Sequence, residues 1–281
     1  MPTTPNKISY LNGKFLPHEQ CLVHIEDRGF QFADGVYEVT LFKGGKLIDA
    51  NNHLQRLFRS LRELNISHNF NQQQIIEIQQ QLIAKNNLKD GICYLNITRG
   101  VHKRVPHQPI TEPTINAVID NVKNKAIEKI SVITHEDLRW LRCDIKSVGL
   151  CYSSMIKQKA LDLGFDDAIL TRQNIVTEAT YANVFMVDKD DNLVTRMCDN
   201  LILCGITRNR IINLAQQNNI KVIEKKFDIN ELKKAKEVFL SSSGAIIKAV
   251  TKIDEEIIND GKIGTITKKI FGLYYDFINI S

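Results

Sequence analysis

Residues 137–146 read D-L-R-W-L-R-C-D-I-K, and this stretch mixes three basic residues, two acids and the only tryptophan of the chain. Lys146 closes it, four residues after Arg142 in a partly apolar run. A nearby guanidinium and loss of water both favour the neutral amine, so Lys146 is a candidate nucleophile. The same residues also fit the charged edge of a strand.

Three segments downstream add chemistry. V-T-E-A-T-Y-A-N-V-F, 176–185, sets Glu178 among small and apolar residues. A carboxylate there is either functional or paired with a buried cation. C-G-I-T-R, 204–208, opens an apolar helix, and N–H groups at a helix start favour phosphate or carboxylate. An ordinary Thr-capped helix reads the same way. S-S-S-G, 241–244, is a hydroxyl-rich loop after a strand, which wraps an anion or simply turns. Together they offer an amine, a buried acid and two anion-cradling loops, which are the parts a phosphorylated aldehyde would use.

Around these segments the pattern predicts a mixed set of elements. Asn12-Gly13 marks a hairpin over 8–16, and Gly44-Gly45 a second over 39–48. Leu54, Leu57, Phe58, Leu61 and Leu64 make one stripe of a helix over 51–64, capped by Asn51 or Asn52. A second helix spans 74–85, and others lie at 155–163 and 206–216. Strands are predicted at 94–98, 115–119, 130–134, 167–171, 183–187 and 238–240. The polar run 121–129, N-V-K-N-K-A-I-E-K, marks a boundary between a domain at 1–120 and one at 121–281. Hairpins mixed with helices indicate an α+β or mixed α/β fold. Neither G-x-G-x-x-G nor G-x-x-x-x-G-K-[ST] occurs, so dinucleotide and P-loop readings lose their support.

Composition narrows the class further. The 281 residues are 43% hydrophobic and 25% charged, enough apolar material for an enzyme-sized core. The net charge of +5 is spread along the chain without a basic, aromatic-interleaved block, so no nucleic-acid partner is expected. The cysteines are Cys21, Cys93, Cys143, Cys151, Cys198 and Cys204, with no C-x-x-C pair, so no metal site is expected. Six free thiols in a reducing compartment are the simplest account. No apolar leader and no run of about 18 apolar residues is visible. The expectation is therefore no membrane partner and a cytoplasmic location.

R-G-F-Q-F-A-D-G-V-Y-E-V (28–39), L-R-W-L-R-C-D-I-K-S (138–147), V-T-E-A-T-Y-A-N-V-F (176–185), L-I-L-C-G-I-T-R (201–208) and F-L-S-S-S (239–243) resemble the fold type IV pyridoxal-phosphate (PLP) enzymes. These are the class IV aminotransferases, and the likeness is to their D-amino-acid-specific members. It covers nearly the whole chain in family order. The resemblance implies a two-domain fold with an N-terminal α/β domain, a larger C-terminal strand-and-helix domain, PLP at their interface and a homodimer. It also implies transfer of the amino group of a D-amino acid, such as D-alanine or D-glutamate, to a 2-oxo acid.

By the same resemblance Lys146 forms the imine with PLP and then serves as the base that moves the α-proton. Glu178 faces the pyridine nitrogen and keeps it protonated. Arg56, Ile206, Thr207, Ser242 and Ser243 bind the phosphate, and Leu203 packs against the ring. Tyr37 and Arg104 take the substrate carboxylate together with a histidine. The family spacing there is Arg-x-His, whereas this chain reads R-V-P-H over 104–107. His107 is thus displaced by one residue, and His102 is an outside candidate. Tyr181 stands where small serines are common, and Phe30 where a tyrosine is common. The rival readings are a branched-chain L-amino-acid aminotransferase, aminodeoxychorismate lyase, and a non-catalytic basic binder of an anion. The combined presence of Lys146, Glu178 and Arg56 weighs against the last.

Overall fold

The computed structural model describes residues 7–122 and 126–280. The chain forms two compact units. The first takes residues 7–122 together with Ile145–Gly149, and the second takes 126–144 and Leu150–Ile280. Residues 123–125 of the predicted boundary run lie outside the described residues.

In the N-terminal unit six described strands make one antiparallel sheet. Its order is Lys14–Pro17, Ile8–Leu11, Thr114–Asp120, Gly91–Thr98, Gly35–Lys43 and Lys46–Leu47. Asn12 and Gly13 have φ of 44° and 86°, the left-handed pair that a tight two-residue hairpin turn demands. Helix Ala50–Glu63 lays Leu54, Leu57 and Leu61 against Val36, Leu95 and Ile97 of the sheet. Its predicted caps, Asn51 and Asn52, instead lie inside the first turn. The N-cap is Asp49, at φ 52°, where the chain leaves the hairpin in a left-handed step. Helix Gln72–Lys85 adds Ile75 and Leu82 to the same core, and starts at a capping box made by Asn71 and Gln74.

The C-terminal unit is built on a mixed sheet of nine described strands. Its main path runs Val222–Glu224, Leu193–Thr195, Asn183–Val187, Glu237–Ser242, Ile246–Ile253, Glu128–Glu136, Asp167–Arg172, Ile175–Ala179. Parallel neighbours need crossovers, and helices supply them. Cys151–Asp162 links Glu128–Glu136 to Asp167–Arg172, and Ile206–Gln217 links Leu193–Thr195 to Val222–Glu224. The core of this unit gathers Ile130, Val132, Ile169, Val184, Met186, Phe227 and Leu240.

Two further points differ from the sequence reading. The strand Ile175–Ala179, which carries Glu178, was not foreseen as an element. It follows a turn at Gln173 and Asn174, with φ of 49° and 65°, and four of its five residues are buried, so polar and apolar positions do not alternate along it. The six thiols are not all free, because Cys198 and Cys204 are joined in a disulfide, their Cα atoms 5.5 Å apart. A C-x5-C spacing carries no motif, and only the reversal of the loop brings the two together. Among the described residues no helix is long and apolar enough to cross a membrane.

Candidate active site

Lys146 is fixed by its backbone. Its carbonyl accepts from the Tyr37 N–H at 2.9 Å, and its N–H donates to Ser60 Oγ at 3.3 Å. Val148 N–H donates to the Gly35 carbonyl, so residues 146–148 run beside the start of strand Gly35–Lys43. Ile145 anchors this segment in the core with Leu54 and Leu57. The side chain is half-buried, and Nζ lies 4.0 Å from the centre of the Tyr37 ring. Arg142 is ion-paired with Asp144, Nε to Oδ1 at 3.0 Å.

In the same unit a buried triad gathers on strand Gly35–Lys43 and helix Ala50–Glu63. Arg56 donates through Nε and Nη2 to the two oxygens of Glu38, both at 2.8 Å, and His53 Nδ1 lies 2.8 Å from Glu38 Oε2. Burial alone would raise the Glu38 carboxyl. The charge and hydrogen bonds of Arg56, with those of His53, outweigh it and hold Glu38 well below the ordinary carboxylate range. His53 is pushed down, first by burial, and Arg56 and Lys146 add to that against the pull of Glu38. Glu38 and His53 were missed in the sequence. The signal was a lone acid inside the apolar strand G-V-Y-E-V-T-L-F, which demands a partner.

The C-terminal unit builds its own cluster around Glu178. Oε1 accepts from Arg139 Nη1 at 2.5 Å. Oε2 accepts from the Leu203 N–H at 3.1 Å and from Asn183 Nδ2 at 3.2 Å. Arg139 also spans Asp137, Nε to Oδ1 at 2.9 Å and Nη2 to Oδ2 at 2.8 Å, and Thr177 Oγ1 donates to Asp137. Burial pushes Glu178 up, and Arg139 and the Leu203 N–H pull against it. Burial would likewise raise Asp137, but Arg139 and Thr177 hold it below the ordinary range. Burial disfavours charge on Arg139, yet its two acids keep the guanidinium firmly protonated. Glu178 thus has a fixed orientation and a permanent cation beside it.

Leu203 leads into Gly205, the N-cap of helix Ile206–Gln217, where no side-chain hydrogen bond caps the first turn. The expected Thr cap is absent because Thr207 lies inside the helix. A Cβ on Gly205 would stand 2.1 Å from Asn183 Oδ1. Asn183 also donates to the Leu203 carbonyl at 2.8 Å and sits opposite Ser241 in the sheet. This asparagine, unsuspected in the sequence, ties Glu178, the 203–205 loop and the 241–243 strand end together. Ile206 and Thr207 are buried, Ser242 and Ser243 half-buried. Ser242 closes strand Glu237–Ser242 and its Oγ accepts from the Ala245 N–H at 3.4 Å. Ser241 Oγ is buried without a hydrogen-bond partner among the described residues.

The residues expected at the substrate carboxylate are less gathered. Tyr37 stacks under Lys146, while Arg104 is exposed, lies 4.6 Å from the Phe32 ring centre and donates to the Gln31 carbonyl at 3.4 Å. His107 is exposed, and among the described residues no hydrogen bond or ion pair joins it or Arg104 to Tyr37. His102 Nδ1 lies 2.8 Å from the Lys103 carbonyl. Tyr181 is 45% exposed in the turn after strand Ile175–Ala179.

One antiparallel sheet and one mixed sheet with helical crossovers are the frame of the fold type IV class. The chain belongs to the class IV aminotransferase family, whose sequence model matches residues 35–253. It is 39% identical over 264 residues to a D-alanine aminotransferase of Bacillus licheniformis, covering 92% of this chain and 93% of that one. It is 38% identical over 275 residues to a D-alanine aminotransferase of Listeria monocytogenes, covering 95% of each. Its fold matches the Escherichia coli branched-chain amino acid aminotransferase with a TM-score of 0.90 at 22% identity, over 97% of this chain and 95% of that one. The Thermoproteus uzoniensis branched-chain aminotransferase gives 0.87 at 22% identity, over 96% and 94%.

Proposed function

We propose that this protein is a PLP-dependent transaminase that moves the amino group of a D-amino acid, D-alanine foremost, to a 2-oxo acid. The observation that carries the reading is Glu178, a buried carboxylate with one oxygen held by Arg139 and the other by Leu203 and Asn183, set beside an uncapped helix start. The donor set fits a phosphorylated pyridine aldehyde. First-turn amides at 206 and 207 and the hydroxyls of Thr207, Ser242 and Ser243 suit a dianion. The Ser241 hydroxyl, buried without a hydrogen-bond partner among the described residues, is a further polar group of the kind that a ligand satisfies.

Bound PLP would supply a carbonyl for the amine and an electron-withdrawing ring. Lys146 would hold the carbonyl carbon and then carry the α-proton. An amine does both because it loses its proton, which a guanidinium does not. Glu178 would keep the ring nitrogen protonated, and Leu203 would pack on the ring. Arg56 would add a cation for the phosphate, with the buried Glu38 holding its guanidinium in place. Tyr37, Arg104 and His107 would take the substrate carboxylate. The D-alanine aminotransferase relatives support the D-specific reading over the branched-chain one, because the branched-chain structures match at 22% identity and speak for the fold alone. A homodimer in the cytoplasm goes with this reading.

The test is a panel of D- and L-amino acids against pyruvate and 2-oxoglutarate with chiral analysis of the products. Amino transfer from D-alanine and D-glutamate, and none from L-leucine, is expected. Transfer from L-leucine alone, or pyruvate release from aminodeoxychorismate, would overturn the assignment.

A further inference from the structure

The loop 198–204, C-D-N-L-I-L-C, is closed by the Cys198–Cys204 disulfide. This bond has no part in the transamination chemistry, yet the loop it closes carries the support of Glu178. The Leu203 N–H donates to Glu178, the Leu203 carbonyl accepts from Asn183, and the Leu201 carbonyl accepts from Arg139 Nη2 at 3.4 Å. The loop then enters Gly205 and the helix Ile206–Gln217.

We propose that Cys198 and Cys204 form a reversible thiol–disulfide site for low-molecular-weight thiols, and that the bond latches the loop that positions Glu178 and the helix start. The proposal rests on the reading of those groups as cofactor-holding. Its own footing is geometric. Cys198 is exposed and Cys204 is half-buried, so an incoming thiolate meets the Cys198 sulfur. Cys204 directly precedes the N-cap of a 12-residue helix, whose first N–H groups favour negative charge on its sulfur, and this makes Cys204 the better leaving group.

The exchange balances as follows. A thiolate RS⁻ bonds to the Cys198 sulfur, the Cys198–Cys204 bond breaks, and its electron pair leaves on Cys204. A second thiolate attacks the RS sulfur of the mixed disulfide and releases RS–SR and the Cys198 thiolate. The protein disulfide gains two electrons and two protons, and two RSH become one RSSR. Oxidation by RSSR runs the same steps in reverse. Cys93 and Cys143 do not compete, because burial pushes their thiols up to about 12 and about 11.

Reduction loosens the loop without dissolving it. Cutting the cross-link returns chain freedom to residues 198–204. Arg196 still holds Asp199 at 2.6 Å, Asp199 still accepts from the Leu201 N–H at 2.9 Å, and Asn200 Nδ2 still donates to the Leu141 carbonyl at 2.8 Å. These anchors keep the two sulfurs near each other, so the bond re-forms.

The experiment equilibrates the holoenzyme in graded mixtures of reduced and oxidised glutathione. It reads thiol alkylation by peptide mass, hydrogen exchange of the Leu203 amide, and the rate of PLP release by absorbance. Cys198 and Cys204 are expected to become alkylated together in reducing mixtures, with Leu203 exchange about tenfold faster and PLP release faster in parallel. Cys198→Ser is expected to show the reduced-state exchange and release in every mixture. Equal Leu203 exchange in both states, or a pair that stays reduced in oxidised glutathione, overturns the latch. Unaltered PLP release despite faster Leu203 exchange overturns the coupling to the cofactor. If no lysine-bound cofactor absorbance forms at all, the transaminase reading falls, and Leu203 exchange alone decides the latch.

Discussion

Glu38 shows how a single buried acid is tied to the fold through its partners. Its carboxylate is fully buried and ionised only because Arg56 and His53 bond to it. Its folded pKa lies below the ordinary value of 4.5, so its stabilisation is complete above that pH. The contribution is lost as pH falls below 4.5 toward the folded value. Glu38→Gln removes the buried carboxylate from the Arg56 guanidinium and should cost about 3–5 kcal/mol at pH 7. Urea unfolding at pH 7, 5, 4 and 3 checks this, and the gap between variant and wild type should narrow as the acid is titrated. Equal stability at pH 7 would contradict the account. Glu178→Gln belongs to the same scale. It should keep PLP but lower kcat by about 10²-fold or more, measured by steady-state kinetics beside cofactor titration. The sequence singled out Lys146 and Glu178 as candidates because their segments are distinctive. It hid Glu38, His53, Arg139 and Asn183 as partners, because a hydrogen bond between residues 15 or 39 positions apart leaves no periodic trace.

At the scale of elements, the helix starting at Ile206 depends on a missing side chain. Gly205→Ala drives a Cβ against Asn183 Oδ1 and must move Asn183 or the loop. PLP affinity should fall while the melting temperature of the fold holds, which cofactor titration against a thermal melt will separate. Unchanged affinity would remove Asn183 from the support of the site. In the N-terminal unit, Leu57 is 0% exposed, and Leu57→Ala should cost about 2–5 kcal/mol by chemical denaturation. The leucine stripe and the Asn12-Gly13 turn were readable because their periods are local. Asp49 as a cap was not, since the left-handed step is set by where the preceding hairpin ends. Strand Ile175–Ala179 was not readable either, because burial on both faces removes the alternation that marks a strand.

For the whole molecule, family order of the motifs carried the fold class from sequence to structure, and the match extends over residues 35–253. What the sequence could not show is that Ile145–Gly149 returns to the N-terminal unit, because that depends on the long-range pairing of Val36 with Ser147. Leu22, Ile25 and Phe30 are 79%, 78% and 81% exposed, an apolar surface that a homodimer would cover. Sedimentation velocity should give twice the 32.1 kDa chain mass, and a monomer at micromolar concentration would contradict the dimer. The account as a whole stands on the amine of Lys146. Borohydride reduction of the PLP-loaded protein, followed by peptide mapping, should place the phosphopyridoxyl group on the peptide containing Lys146. Its appearance on another lysine, or its absence, would contradict the central assignment.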